Sequence, residues 1–132
     1  MFDFASLQRP RTPNTALYAD PGDTPGAADR GALRFVRPPG EVIAAWDAAA
    51  RAEPRVTVAD FDPEAGTHAC VQRSRLFRFP DDVHAKAVAE GEGTRLLLYS
   101  ASRIGKGDFG VNAKRLARWS DALRERLEGA GS

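Results

Sequence analysis

The side chains of this chain best suited to chemistry are Asp81 and Asp82, Ser102 and Arg103, and Asp108, Asn112 and Arg115. Such a set can hold a small anionic or carboxylate ligand, because an arginine presents a planar fork of donors to two oxygens at once. Two adjacent aspartates also raise acid/base catalysis. Neighbours on a strand point to opposite faces, however, so their carboxyls would not converge. The plainer alternative is structural: an Arg103–Asp82 pair and an Asp108–Asn112 contact that hold a loop and cap a helix. If Arg103 guards a buried carboxylate, its removal should destabilise the fold.

Nucleophilic and metal chemistry find little support. Cys70 is the one cysteine, so no intrachain disulfide forms, and His68 and His84 are the two histidines. A Cys–His pair needs hydrogen-bond reach and a third group to orient the base. Side chains two apart on a strand stand about 7 Å from each other, so His68 would have to bend toward Cys70. Two histidines and a cysteine without motif spacing make a poor metal set. They read as a small buried thiol and ordinary strand histidines, and no metal or cofactor is expected.

Gly105-Lys106-Gly107-Asp108-Phe109-Gly110 matches the G-x-G-x-x-G pattern of dinucleotide sites. The context fails. That motif opens a βαβ unit with an acid about 20 residues later on the next strand. Only 22 residues follow Gly110, and a helix consumes them. Asp108 inside the motif would also oppose a phosphate. The stretch reads as a tight strand-to-helix connection whose glycines supply positive φ and whose Asp108 caps the helix.

The best local argument for a nucleic-acid partner is Phe77, Phe79 and Tyr99 with Arg73, Arg75 and Arg78 nearby, since aromatics on a sheet can stack bases. With 19 basic and 18 acidic residues the net charge is only +1, which lacks the basic footprint of such proteins. No nucleic-acid partner is expected; a small ligand or a protein partner is. No apolar run approaches the roughly 20 residues that span a bilayer. Met1 to Arg11 has no basic stretch followed by an apolar core, so it does not read as a secretory signal. The chain as given reads as cytoplasmic.

These residues must be positioned by one domain, for 132 residues fit one and can bury a real core. Residues 1–32 are rich in Pro, Gly, Asp and Thr and read as an extended arm, flexible near 20–31. Leu33 to Val36 reads as a strand, and Pro38-Pro39-Gly40 as a break. Val42, Ile43, Trp46, Ala49 and Ala50 recur at helical spacing until Pro54. Strands follow over Val56 to Phe61, Thr67 to Phe79, Val83 to Ala89 and Arg95 to Arg103. Turns are expected at Asp62 to Gly66, Pro80-Asp81-Asp82 and Gly91-Glu92-Gly93. The last helix spans about Val111 to Glu128. Leu116, Trp119, Leu123 and Leu127 form its buried face, with Lys114, Arg115, Arg118 and Arg124 outward or toward an edge; residues 129–132 read as a disordered tail.

The order strand, helix, four strands, helix predicts an α+β domain over residues 33–128. It has an antiparallel sheet of about five strands and two helices packed on one face, the helix-grip or TBP-like order. The other face is left partly open or covered by the arm. With short turns, Asp81 and Asp82 should approach Ser102 and Arg103.

Leu98 to Arg115 reads LYSASRIGKGDFGVNAKR, and Arg75 to Val83 reads RLFRFPDDV. Together with His68-Ala69 and Pro13-Asn14, these stretches resemble the family called domain of unknown function 1499. Its members tend to carry S-A-S-R-x-G, D-x-G-x-N with an arginine three residues on, and F-R-F-x-D-D-V. The likeness covers roughly residues 13–127. The chain departs from the family at Thr15, Tyr99, Gly107, Ala113 and His84, so no role is carried over there. The resemblance implies a fold and a shared polar cluster, and it implies no reaction. It also implies relatives in bacteria and plant plastids, often behind export signals, which weighs against the cytoplasmic reading. The leading expectation is a non-enzymatic binding domain for a small ligand or a protein. The alternatives are an enzyme of unknown reaction using Asp82, Arg103, Asp108, Asn112 and Arg115, and a purely structural module.

Overall fold

The computed structural model describes residues 2–10, 14–104 and 110–131. Among these residues six strands and two α-helices occur in the order β1 (Thr15–Tyr18), β2 (Leu33–Phe35), α1 (Pro39–Arg51), β3 (Val56–Asp62), β4 (Thr67–Arg73), β5 (Pro80–Glu90), β6 (Gly93–Ser102) and α2 (Val111–Gly131). The pairings between these strands are antiparallel, with the spatial order β1-β6-β5-β4-β3. The short strand β2 pairs Leu33 to Phe35 with Leu96 to Thr94, while β1 pairs Thr15 to Tyr18 with Ala101 to Leu98. Since β5 occupies the other edge of β6 along its whole length, β1 and β2 lie end to end along one edge.

The expected strand–helix–four-strand–helix order is present, with one strand more than the expected five. The additional strand, β1, lies inside the stretch read as an extended arm. Its four residues are too few to show a period in sequence, and it is specified by its partner on β6. Residues 19–32 return from β1 to β2 and are tied down. The amide of Ala19 donates to the Arg30 carbonyl (2.9 Å), and Asp20 accepts from the amide of Ala32 (3.0 Å).

Four local expectations are corrected. Pro38-Pro39-Gly40 does not break the chain: Pro39 opens α1, where a missing N–H costs nothing and the fixed φ suits a first turn. The strand expected over Thr67 to Phe79 ends at Arg73, and Ser74 to Phe79 form a loop in which Arg78 has φ 59°. Pro80, Asp81 and Asp82 are the first residues of β5 rather than a turn, because β4 and β6 on either side supply ladder partners. Finally, α2 runs to Gly131, through most of the stretch read as a tail, since adding a residue to an existing helix is far easier than starting one. The Gly91-Glu92 hairpin is as expected, with Glu90 opposite Gly93 and Gly91 at φ 59°.

Both helices cover one face of the sheet. Val42, Ile43, Trp46 and Ala50 of α1 and Leu116, Trp119, Leu123 and Leu127 of α2 pack with Cys70, Val83, Ala85, Ala87, Leu96 and Leu98. The two indoles meet at 5.6 Å with planes 55° apart. The opposite face carries a second cluster, in which Phe4, Leu17, Ala19 and Ala32 cover Leu97 and Tyr99. A short 3-10 turn over Phe4–Ser6, capped by the Asp3 side chain on the Ala5 amide, leads the N-terminal segment across this face. That segment covers the β1–β6 half of the sheet. Over β3 and β4, Thr57, Ala59 and Asp60 remain exposed and Thr67, Ala69 and Val71 only partly covered.

Candidate functional site

The period of two along β5 sends the expected site residues to both faces. Asp81 shares the helix-covered face with Val83, Ala85 and Ala87, while Asp82, His84 and Lys86 point the other way. The register places Asp81 opposite Ser102 and Asp82 opposite Ala101, so both aspartates lie beside the end of β6, as expected.

On the helix side a polar network forms beneath the first turns of α2. Its centre is Arg115, which the helical pattern placed outward or at an edge. It is instead buried, at 5 % exposure. Its guanidinium donates to Gln72 Oε1 (2.6 Å), to Asn112 Oδ1 (2.7 Å), to Ser100 Oγ (3.1 Å) and to Asp81 Oδ2 (2.9 Å). Asn112 Nδ2 donates to Ser102 Oγ and to the Asn14 carbonyl, both at 2.9 Å. Ser100 Oγ donates to Asn112 Oδ1 at 2.5 Å. The Asn14 carbonyl also accepts the Ser102 amide, and Gln72 Nε2 donates to the Pro54 carbonyl. The end of β4, the start of β5, the end of β6 and the residue before β1 are thus bound to one guanidinium or one amide. A buried charge with this many charge-assisted bonds fixes geometry strongly.

On the opposite face Arg103 grips Asp82 with Nε and Nη2 at 2.8 and 2.7 Å, a bidentate pair. Their side chains are 49 % and 29 % exposed. The pair expected from sequence is therefore present, but it guards no buried carboxylate. Asp108 and the rest of Gly105 to Phe109 lie outside the described residues.

Asp81, Ser102, Asn112 and Arg115 are brought together; Asp82 and Arg103 form a separate pair across the sheet. Sequence reasoning missed Gln72, Ser100 and Asn14 as members. Gln72 carried a signal, since it continues the buried alternation of His68 and Cys70 with a polar side chain.

The open face holds a cleft of about 250 Å³ lined by Phe2, Phe4, Asp60, Thr67, Ala69, His84 and Lys86, among others. Phe2 stacks flat on the His84 ring at 3.8 Å and lies 5.7 Å from the Tyr99 ring. Burial pulls the His84 pKa below its ordinary value, outweighing the nearby Asp82 carboxylate, so the ring is neutral near pH 7. Lys86 has no ion-pair partner among the described residues. Its neighbour Thr67, directly across the ladder, donates to Asp60 at 3.4 Å.

His68 and Cys70 share the helix side but make no nucleophile. His68 Nε2 bonds Asp47 Oδ1 at 2.9 Å, and Arg51 holds the same carboxylate. Desolvation lowers the His68 pKa despite that carboxylate. Burial pushes the Cys70 thiol up to about 12, far from a thiolate at neutral pH. Among the described residues no three of His, Cys, Asp and Glu are grouped as metal ligands would be. No helix of the described residues is long and apolar enough to cross a membrane.

The fold is an α+β domain whose antiparallel sheet is closed on one face by two helices and half-covered on the other. The chain belongs to the family described as Protein of unknown function (DUF1499), whose model matches residues 8–123. No curated protein matches it. In structure it is similar to TTHA0849 from Thermus thermophilus, with a TM-score of 0.50 at 16 % identity, covering 89 % of this chain and 99 % of that one. A likeness at that identity speaks for the fold alone.

Proposed function

We propose that this is a non-enzymatic binding domain that takes a small, largely apolar carboxylate or similar anion in the cleft of the open sheet face. The observation that carries the reading is Lys86. It is an ammonium without an ion-pair partner among the described residues, and it borders a cleft walled by Phe2, Phe4 and Ala69. Apolar walls with a small number of placed polar groups are the usual make-up of a small-ligand site; here Asp3, Asp60, Thr67, His84 and Lys86 supply them, Lys86 as the cation. The neutral His84 ring, its face covered by Phe2, adds a hydrogen-bonding nitrogen at its edge beside the charge. Asp82, paired with Arg103, lies two residues before His84 on the same face of β5.

The second reading concerns the Arg115 network. Its dense bonding around the buried Arg115 favours a scaffold that locks α2 to β4, β5 and β6, and we assign Asp81, Ser102, Asn112 and Arg115 that role.

Titration of the isotope-labelled protein with benzoate, followed by amide NMR, tests the cleft. Saturable shifts centred on Ala69, His84 and Lys86, weak with benzyl alcohol and lost in Lys86→Ala, are expected. Shifts scattered over the surface, or equal responses to the acid and the alcohol, would overturn it.

A further inference from the structure

Five of the six large apolar side chains left exposed among the described residues gather at one end of the domain. Leu76, Phe77 and Phe79 are 78 %, 68 % and 45 % exposed on the β4–β5 loop. Ile104 follows β6 and Val111 opens α2. The Arg103 amide donates to the Pro80 carbonyl at 3.2 Å, and Asn112 reaches Ser102, so the three segments stand side by side. The sixth, Val36, lies by Gly93 at the far end of β6.

The loop that carries the patch is built, not slack. Ser74 and Phe79 close it from both sides: the Ser74 amide donates to the Phe79 carbonyl (3.0 Å) and the Phe79 amide to Ser74 Oγ (2.9 Å). Arg73 Nη1 adds a bond to the Arg78 carbonyl at 3.0 Å. These bonds tie the two ends of the loop together, and its apolar side chains are left outward. Phe77 and Phe79 stack on each other at 5.4 Å. Arg75 and Arg78 alternate with them in sequence and are exposed, without ion pairs among the described residues. The acids closest in sequence, Asp81 and Asp82, are each held by an arginine of their own.

We propose that this end of the domain is a membrane-surface contact, on which Leu76, Phe77 and Phe79 enter the headgroup region of an anionic bilayer while Arg75 and Arg78 meet its lipid phosphates. Aromatic and aliphatic tips flanked by arginines combine the two attractions that surface binding needs, apolar burial and charge. A base-stacking surface fits less well. Phe77 and Phe79 already cover one face of each other, and Leu76, Ile104 and Val111 give nothing to a base. The patch protrudes on a hydrogen-bonded loop, a shape that a fluid bilayer accepts without a complementary pocket. This inference is independent of the ligand cleft.

Flotation of the intact chain with vesicles decides it. The chain should rise with vesicles of equal parts phosphatidylcholine and phosphatidylglycerol and stay behind with phosphatidylcholine alone. Phe77→Ser with Phe79→Ser, and separately Arg75→Glu, should each lower the partition coefficient about tenfold or more. Both sites are exposed, and circular dichroism verifies that the variants fold. Failure to float with the anionic vesicles overturns the proposal, as does unchanged flotation of the variants. Binding of polyuridylate or self-association, lost in the same variants without any flotation, would reassign the patch to a nucleic acid or a protein.

Discussion

Asp81 and Asp82 are adjacent in the chain, yet they serve different arginines on opposite faces of the sheet. Asp81 takes Arg115 at 2.9 Å on the helix side, and Asp82 takes Arg103 at 2.7 Å on the open side. The Arg115 guanidinium is also bound by Gln72, Asn112 and Ser100, while the Arg103 pair is open to solvent on one side. One aspartate therefore belongs to the packing of the domain and the other to its surface.

The two pairs should separate in stability. Arg115→Ala leaves the Asp81 carboxylate and Gln72 without their partner beneath α2, a change that costs about 3–5 kcal/mol. Arg103→Ala removes an exposed pair and should leave the urea midpoint nearly in place, because such pairs are screened by solvent. Urea unfolding of both variants checks this. Equal losses would mean that Asp82 is far less hydrated than its position indicates.

Acid should weaken the fold through its histidines. Burial lowers the folded pKa of both His68 and His84 below the ordinary 6.5. As pH falls past 6.5, the unfolded chain takes up these protons before the folded one does, so stability drops until the folded pKa is passed. Above 6.5 this contribution is fully present. Measured by urea unfolding across pH, the slope below 6.5 should flatten in His68→Gln. An unchanged slope would assign the acid sensitivity to other groups.

Phe2 shields His84. In Phe2→Ala the imidazole is uncovered on the side where the phenyl ring stacks at 3.8 Å, so water solvates its charged form. The His84 pKa should rise toward 6.5, read from its ring protons by NMR titration. A pKa that stays put would place the burial of this ring on the sheet itself rather than on the N-terminal segment.

Two glycines with positive φ should differ in tolerance. At Gly66, with φ 75°, an added Cβ would strike the Ala87 carbonyl oxygen, which accepts no movement without breaking the β4–β5 corner. At Gly91, φ 59°, the space is open. Gly91→Ala should cost about 1 kcal/mol and Gly66→Ala more than about 2 kcal/mol. Thermal unfolding of the two variants tests the order, and its reversal would contradict the packing at the corner.

Much of the architecture could be read from local patterns. The buried faces of both helices, from Val42 to Ala50 and from Leu116 to Leu127, follow the helical period residue by residue. The Gly91-Glu92 turn and the strands it joins follow from glycine and alternation. The meeting of Asp82 with Arg103 also followed, because a short hairpin leaves little choice of register. The N-terminal strand did not. Thr15–Tyr18 has no period of its own and becomes a strand because β6 offers it an edge.

By itself, then, the sequence determined what depends on near neighbours: an α+β domain with its helical faces, its hairpins and the alternation that divides Asp81 from Asp82. The tertiary structure alone decided what depends on distant ones. A pattern of charges on α2 places Arg115 at the edge of the helix. Only the approach of β4, β5 and the Asn14 carbonyl supplies enough acceptors to hold its network beneath the helix. The same holds for the cleft, where residues far apart in the chain, Phe2, Thr67 and Lys86, meet because the N-terminal segment crosses only half of the open face.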